Sequence, residues 1–268
     1  MKHTFLTITL CMVALLAIPN DIQSQLYENP IHVILYNDDP AYNSGIQQAI
    51  NKYWSLNNYQ FVTEEEFNNL KKENANLFLI KNESQSVEEG TLVYDEVIRI
   101  VQFSKGGKMI TQVAGTPVIK KDEDDSSISY VNAVLGLQDK VQFEISKSEN
   151  NSTFNSYSDK VKNRTNIVKL KTLYIADEDI KDGLTVEMVN ELYSGELVVL
   201  SRSELADLIN SQSNIVYAVV NNKPTSGFTY VNTKQIIDAS NGQVLFKNES
   251  TTIKPEGFSK KDWKKLAD

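Results

Sequence analysis

Two short acidic runs carry the side chains best suited to chemistry: Asn37-Asp38-Asp39 and Asp177-Glu178-Asp179. Each directly follows an apolar stretch, Ile31 to Tyr36 and Leu170 to Ala176, that reads as a strand. Open α/β sheets bind ligands beyond the carboxyl ends of their strands, so both runs fall where a site belongs. Carboxylate oxygens suit a hard cation. Asp38, Asp39, Asp177 and Asp179 are therefore the candidate metal ligands, with Ca²⁺ as the ion, and no other cofactor is expected. The match to a calcium loop is incomplete: Lys181 takes a ligand position, Gly183 falls one place late, and Met188 stands where a bidentate glutamate belongs. The competing reading is a pair of solvated loops whose charge favours the N-terminus of the next helix. A third run, Asp122 to Asp125, reads as a solvated connector.

Other chemistries find little support. Cys11 is the only cysteine, and beyond residue 24 the only histidine is His32, inside a strand predicted to be buried. A Ser-His-Asp arrangement needs its imidazole facing a cleft, so His32 reads as a core residue. The sequence lacks Gly-x-Ser-x-Gly, Ser-x-x-Lys, His-Glu-x-x-His and the glycine-rich phosphate loops. Paired carboxylates can hydrolyse a glycan without histidine or cysteine, which keeps a carboxylate-based hydrolase as the alternative function. Exposed aromatics would accompany a sugar site, yet Trp54, Phe61, Phe67 and Phe78 fall at core positions of the pattern. A formal charge of -8 argues against a nucleic-acid partner, which would need a basic face.

The N-terminus predicts export. Lys2 and His3 precede an apolar run from Phe5 to Ile18 and a polar stretch from Asn20 to Gln25, the layout of a signal peptide over residues 1–24. Cys11 follows Thr9-Leu10 rather than a small residue, which speaks against a lipoprotein signal. No later stretch is long and apolar enough to cross a bilayer, so a secreted or periplasmic location with no transmembrane segment after cleavage is expected.

The elements that must position the acids occur twice. Phe61 to Leu70 and Val199 to Leu208 each run from a strand into a helix, with a hydroxyl residue (Thr63, Ser201) three places before a glutamate (Glu66, Glu204). That is a capping box, in which side chain and backbone satisfy each other's orphan N–H groups. Val62 with Phe67 and Leu200 with Leu205 are spaced as hydrophobic staples. Around each box the order of elements repeats: a strand, a helix, a second strand, the capped helix, a third strand and a hairpin. The hairpin turns are Ser104 to Gly107 and Ser240-Asn241-Gly242.

The fold class is thus α/β (α+β), as two tandem repeats, each a mixed β-sheet with two crossover helices and a terminal β-hairpin. The first repeat spans 25–146 and ends in a helix over Ile128 to Ile145, where Ile128, Val131, Leu135, Val141 and Ile145 fall on one helical face. A polar linker occupies 147–166, and the second repeat spans 167–268 and closes with a short helix after Ser259, stapled by Phe258 and Trp263. Glu83 to Gly90 reads as a polar loop, and either Asp39 with Pro40 or Ser44 caps the first helix.

Leu197 to Ile209, with Gln235 to Leu245, resembles a group of bacterial envelope domains: the N-terminal domain of the Tol-Pal protein TolB, the curli-secretion lipoprotein CsgG, and the lipoprotein activators of penicillin-binding proteins. The shared features are a strand ending before an Arg-x-x-Leu helix and an Asp-x-x-x-Gly hairpin. The first repeat lacks the arginine. The resemblance implies assembly work through protein partners without catalysis, and it transfers no functional residue. The expected function is a non-catalytic exported binding or assembly protein that engages a protein or surface polymer, through the groove between the repeats or an exposed sheet edge.

Overall fold

The computed structural model describes Leu26 and residues 29–73, 76–88, 91–104, 106–118, 126–149, 152–211, 214–225 and 228–267. The signal segment and the Asp122 to Asp125 run lie outside these residues.

Strand β1 (Ile31–Leu35) is buried from Ile31 to Ile34, as its continuous apolar character requires. Helix α1 (Pro40–Tyr53) follows, and its cap is Asp39, whose carboxylate accepts from the Tyr42 N–H at 2.9 Å with Pro40 in the first turn. Strand β2 (Tyr59–Thr63) returns parallel to β1 and hands directly to α2 (Glu64–Leu70). The capping box there is complete: the Glu66 N–H donates to Thr63 Oγ1 at 3.2 Å, and the Thr63 N–H donates to the Glu66 carboxylate at 2.7 Å. Strands β3 (Leu77–Glu88), β4 (Thr91–Phe103) and β5 (Met109–Pro117) then form an antiparallel meander. The polar stretch expected as a loop is strand as far as Glu88, paired through Glu88↔Thr91. Backbone groups alone satisfy an antiparallel ladder, so sequence polarity does not end it.

After α3 (Ser126–Ser148) comes α4 (Tyr157–Arg164), capped by Ser156 and followed by a 3₁₀ turn over Thr165–Leu170. The span expected as a polar linker therefore contains a helix. Its apolar content is low, but Val161 is buried and Tyr157 reaches a buried carboxylate, so tertiary contacts rather than amphipathicity hold it. The second sheet is built from β6 (Leu173–Ala176), a 3₁₀ turn (Asp177–Asp179), α5 (Val186–Leu192), β7 (Leu197–Leu200), α6 (Arg202–Ser211), β8 (Val216–Pro224), β9 (Tyr230–Asp238) and β10 (Gln243–Thr252), with α7 (Lys260–Ala267) closing it. Ser201 and Glu204 reproduce the capping box at 3.3 and 2.8 Å. Phe258 and Trp263 meet with ring centroids 5.4 Å apart.

Both halves are mixed five-stranded sheets, β2-β1-β3-β4-β5 and β7-β6-β8-β9-β10, and the two orders match position for position. Period-two alternation splits every strand between two layers. In β8, Val216, Ala218 and Val220 face an outer cluster with Trp263, while Tyr217 and Val219, with Ile215 just before the strand, face the centre. In β3, Leu77 and Leu79 face the centre, while Phe78 and Ile80 join a small outer cluster with Phe67. The centre is one continuous core fed by both sheets, and α3 runs through it. This helix is buried on every side from Ile128 to Asp139, not along one stripe as the sequence spacing suggested.

Candidate functional site

The acidic runs sit at the carboxyl ends of β1 and β6, as their positions in the sequence implied, but each key carboxylate is already engaged. Asp39 caps α1 and forms an ion pair with Lys81 from β3. The Lys81 ammonium also lies over the Tyr36 and Tyr42 rings at 5.4 and 5.1 Å. Asp179 is 1% exposed and pairs with Arg202 at 2.9 Å. Asp38 and Asp177 are exposed, in the turns that follow β1 and β6. A cation at Asp39 or Asp179 would have to displace a lysine or an arginine. Among the described residues no group of three or more His, Cys, Asp or Glu side chains is placed to hold a metal ion. His32 is buried against Phe78 with ring centroids 5.5 Å apart, and burial lowers its pKa.

A different region has the shape of a site. A cleft of about 320 Å³ opens between the end of β5, α3 and the sheet of β8, β9 and β10. The alternation that builds the core also builds this cleft. Beyond Val219 the inner face of β8 continues as Asn221 and Lys223, and the inner face of β9 runs back from Ile237 through Gln235 and Thr233. The same sheet face thus changes from apolar to polar along its length. A bulge between Val244 and Phe246 shifts the register of β10, and Lys247 and Glu249 line the same cleft. From α3 come Asn132, Gly136 and Lys140.

Lys140 spans the two halves. It leaves α3 near Lys247 and donates to the Gly115 carbonyl oxygen of β5 at 2.7 Å. Burial, reinforced by Lys247, pushes its pKa down to about 8. Below it, Asp139 is fully buried and accepts from Arg164 at 2.7 Å, Tyr157 at 2.8 Å, the Val244 N–H at 3.2 Å and Lys160 at 3.3 Å. This hub fixes α3, α4 and β10 together under the cleft, and Tyr157 forms part of the lining. Burial and the Asp139 charge raise the Tyr157 pKa well above its ordinary value, so its hydroxyl remains a donor.

A second cleft of about 600 Å³ lies between α4 and β10 and shares Tyr157, Lys247 and Glu249 with the first. The two clefts adjoin at these residues and together form the groove. Lys162 and Lys265 line the second part. Among the described residues the two clefts are lined by Lys140, Lys162, Lys223, Lys247 and Lys265 and by the carboxylate of Glu249; Lys247 pairs with Glu249 at 3.3 Å and Lys162 with Asp159 at 4.0 Å. No sequence motif marks the groove, because its side chains come from elements far apart in the chain. The one available signal was the change from apolar to polar at alternate positions of β8 and β9.

No family model matches the chain, and neither the curated proteins nor the solved structures provide a significant match. Among the described residues no helix is long and apolar enough to cross a membrane.

Proposed function

We propose that the chain is a non-catalytic exported binding or assembly protein that engages a protein or surface polymer through the groove between its two halves. The observation that carries this reading is the groove itself, two adjoining clefts with polar walls, the first supplied by both halves and braced beneath by the buried Asp139 hub. Pre-organised concave surfaces with a few convergent polar groups are the usual form of binding sites. The signal-like N-terminus and the resemblance of Leu197 to Ile209 to envelope domains support an exported setting. Glycan hydrolysis would draw on two carboxylates flanking the scissile bond. Among the described residues the groove lining offers Glu249 as its carboxylate, and Lys247 holds it at 3.3 Å, which favours binding over catalysis.

The test is chemical crosslinking in source cells, followed by affinity capture of the mature protein and mass spectrometry. A dominant envelope component crosslinked to the β8 to β10 region supports the reading. Crosslinks confined to β2 and β7, or no specific component, would count against it.

A further inference from the structure

We propose that Lys234 and Asn248 become joined by a side-chain amide bond, formed within the folded chain with Asp262 as the proton relay. The site goes beyond the binding function and lies under α7, on the outer face of the second sheet. Lys234 of β9 and Asn248 of β10 are direct cross-strand partners. Such neighbours share a face, with Cβ atoms about 5 Å apart. Asp262 of α7 bridges them: Lys234 Nζ donates to Asp262 Oδ2 at 2.9 Å, and Asn248 Nδ2 donates to Asp262 Oδ1 at 2.7 Å. One carboxylate thus holds an amine and a carboxamide side by side, the two reactants of an amide exchange, which replaces a chance encounter by a fixed one.

The surroundings suit reaction better than solvation. Lys234 is 2% exposed and Asp262 1%. Ile236, Phe246 and Trp263, their neighbours along the strands and the helix, belong to the outer core cluster. A buried ion pair adds little net stability over apolar side chains of similar size, so stability alone is a weak reason for this one. Burial by itself would raise the Asp262 pKa, but hydrogen bonds from Ser259 and Lys234 overcome it and hold the carboxyl below its ordinary value. The resting pair is therefore ionic, and the bond forms slowly, through the neutral pair.

The step balances without an oxidant or cofactor. The Lys234 ammonium passes a proton to Asp262, and the freed Nζ lone pair adds to Asn248 Cγ. Charge gathers on Asn248 Oδ1, to which Lys265 Nζ donates at 3.4 Å. The Cγ–Nδ2 bond then breaks. Asp262 relays two protons in all from Nζ to Nδ2, so the nitrogen leaves as ammonium and the carboxylate is regenerated. Asn248 also lines the cleft of about 600 Å³ beside α4, which gives the ammonium its way out. Beyond residue 24 the chain has no cysteine, so no disulfide can staple this hairpin. The amide bond supplies the same restraint on the unfolded chain.

The test is intact-mass spectrometry of the purified full chain, followed by digestion and sequencing of its peptides. The expected mass lies below that of the sequence by one ammonia, with a branched peptide joining Lys234 to Asn248. Lys234→Met and Asn248→Ala should each abolish the branched peptide. Asp262→Asn should slow its formation by roughly a hundredfold, the share of a general acid–base group. The parent chain carries the readout by itself, so a variant that fails to fold leaves the test intact. Three results would overturn the proposal: a parent mass equal to that of its sequence after prolonged incubation, an ammonia loss that maps elsewhere, such as to Asn241-Gly242, or an undiminished rate in folded Asp262→Asn.

Discussion

Helices α2 and α6 begin with the same capping box and occupy the same place in their sheets, yet they end in opposite surroundings. No residue of α2 is buried, and only Phe67 and Leu70 lean on a small outer cluster. In contrast, α6 buries Leu205 and Ile209 in the central core. Its last carbonyls receive Lys52 and Tyr53 from α1: Lys52 Nζ donates to Ile209 O at 3.0 Å and to Asn210 O at 2.5 Å, and the Tyr53 hydroxyl donates to Ile209 O. The first half turns its first crossover helix inward and the second half turns its second. Equal strand order therefore does not decide which face of a sheet is covered. The shared helix α3 makes that choice, and where its cover and that of α6 end, the inner face of the second sheet is left to form the groove.

The largest effect is expected where neither half stands alone. Asp139→Ala would leave Arg164 and Lys160 without their buried partner, at a cost of about 3–5 kcal/mol in urea denaturation. A loss under ~1 kcal/mol would mean that the halves do not depend on this hub. Next come the paired helices. Leu205→Ala should cost about 2–5 kcal/mol, as a buried leucine does. Phe67→Ala should cost less, although it removes the larger side chain, because α2 lies outside the central core. The reverse order would contradict the inside-outside contrast.

The caps should behave alike. Thr63→Ala and Ser201→Ala are each expected to cost about 1 kcal/mol. Hydrogen bonds from Thr63 hold the Glu66 carboxyl below its ordinary pKa, and those from Ser201 do the same for Glu204. Their contribution is present above the unfolded carboxylate range and is lost as pH falls through the lowered folded values. Acid titration of the variants should therefore show a shallower loss of stability than the parent. A separate, pH-dependent effect concerns Lys140. Its folded pKa of about 8 lies below the unfolded lysine value, so the unfolded chain binds more protons between them. Stability should rise as pH increases from about 8 toward ~10.4, and Lys140→Met should flatten that rise. Lys247 and Asp139 are the charged groups facing Lys140 and must be left intact in this comparison.

The local elements were legible because they obey short-range rules. The boxes at Thr63 and Ser201, the staple of Phe258 and Trp263, and the turn at Gly242, which adopts a φ of 74°, each follow from residues within a few positions. What escaped depends on distant partners. Asp179 read as a metal donor because nothing nearby shows that Arg202 neutralises it. The helical spacing of α3 suggested one buried face, whereas two sheets bury it all round. Residues of α4 looked like a linker because Asp139, which anchors Tyr157 and Arg164, lies far away in sequence. The groove was the least visible feature, since scattered lysines, asparagines and threonines carry no motif and gain meaning only when elements far apart in the chain meet.

The most direct test of the central claim, that both halves build one binding groove, is hydrogen–deuterium exchange of the mature protein with and without its captured partner. The account expects added protection together at Thr116 to Pro117, Asn221 to Lys223, Val231 to Gln235 and Val244 to Glu249, the backbone segments that wall the groove. Protection confined to the edge strands β2 and β7, with the groove segments unchanged, would contradict it.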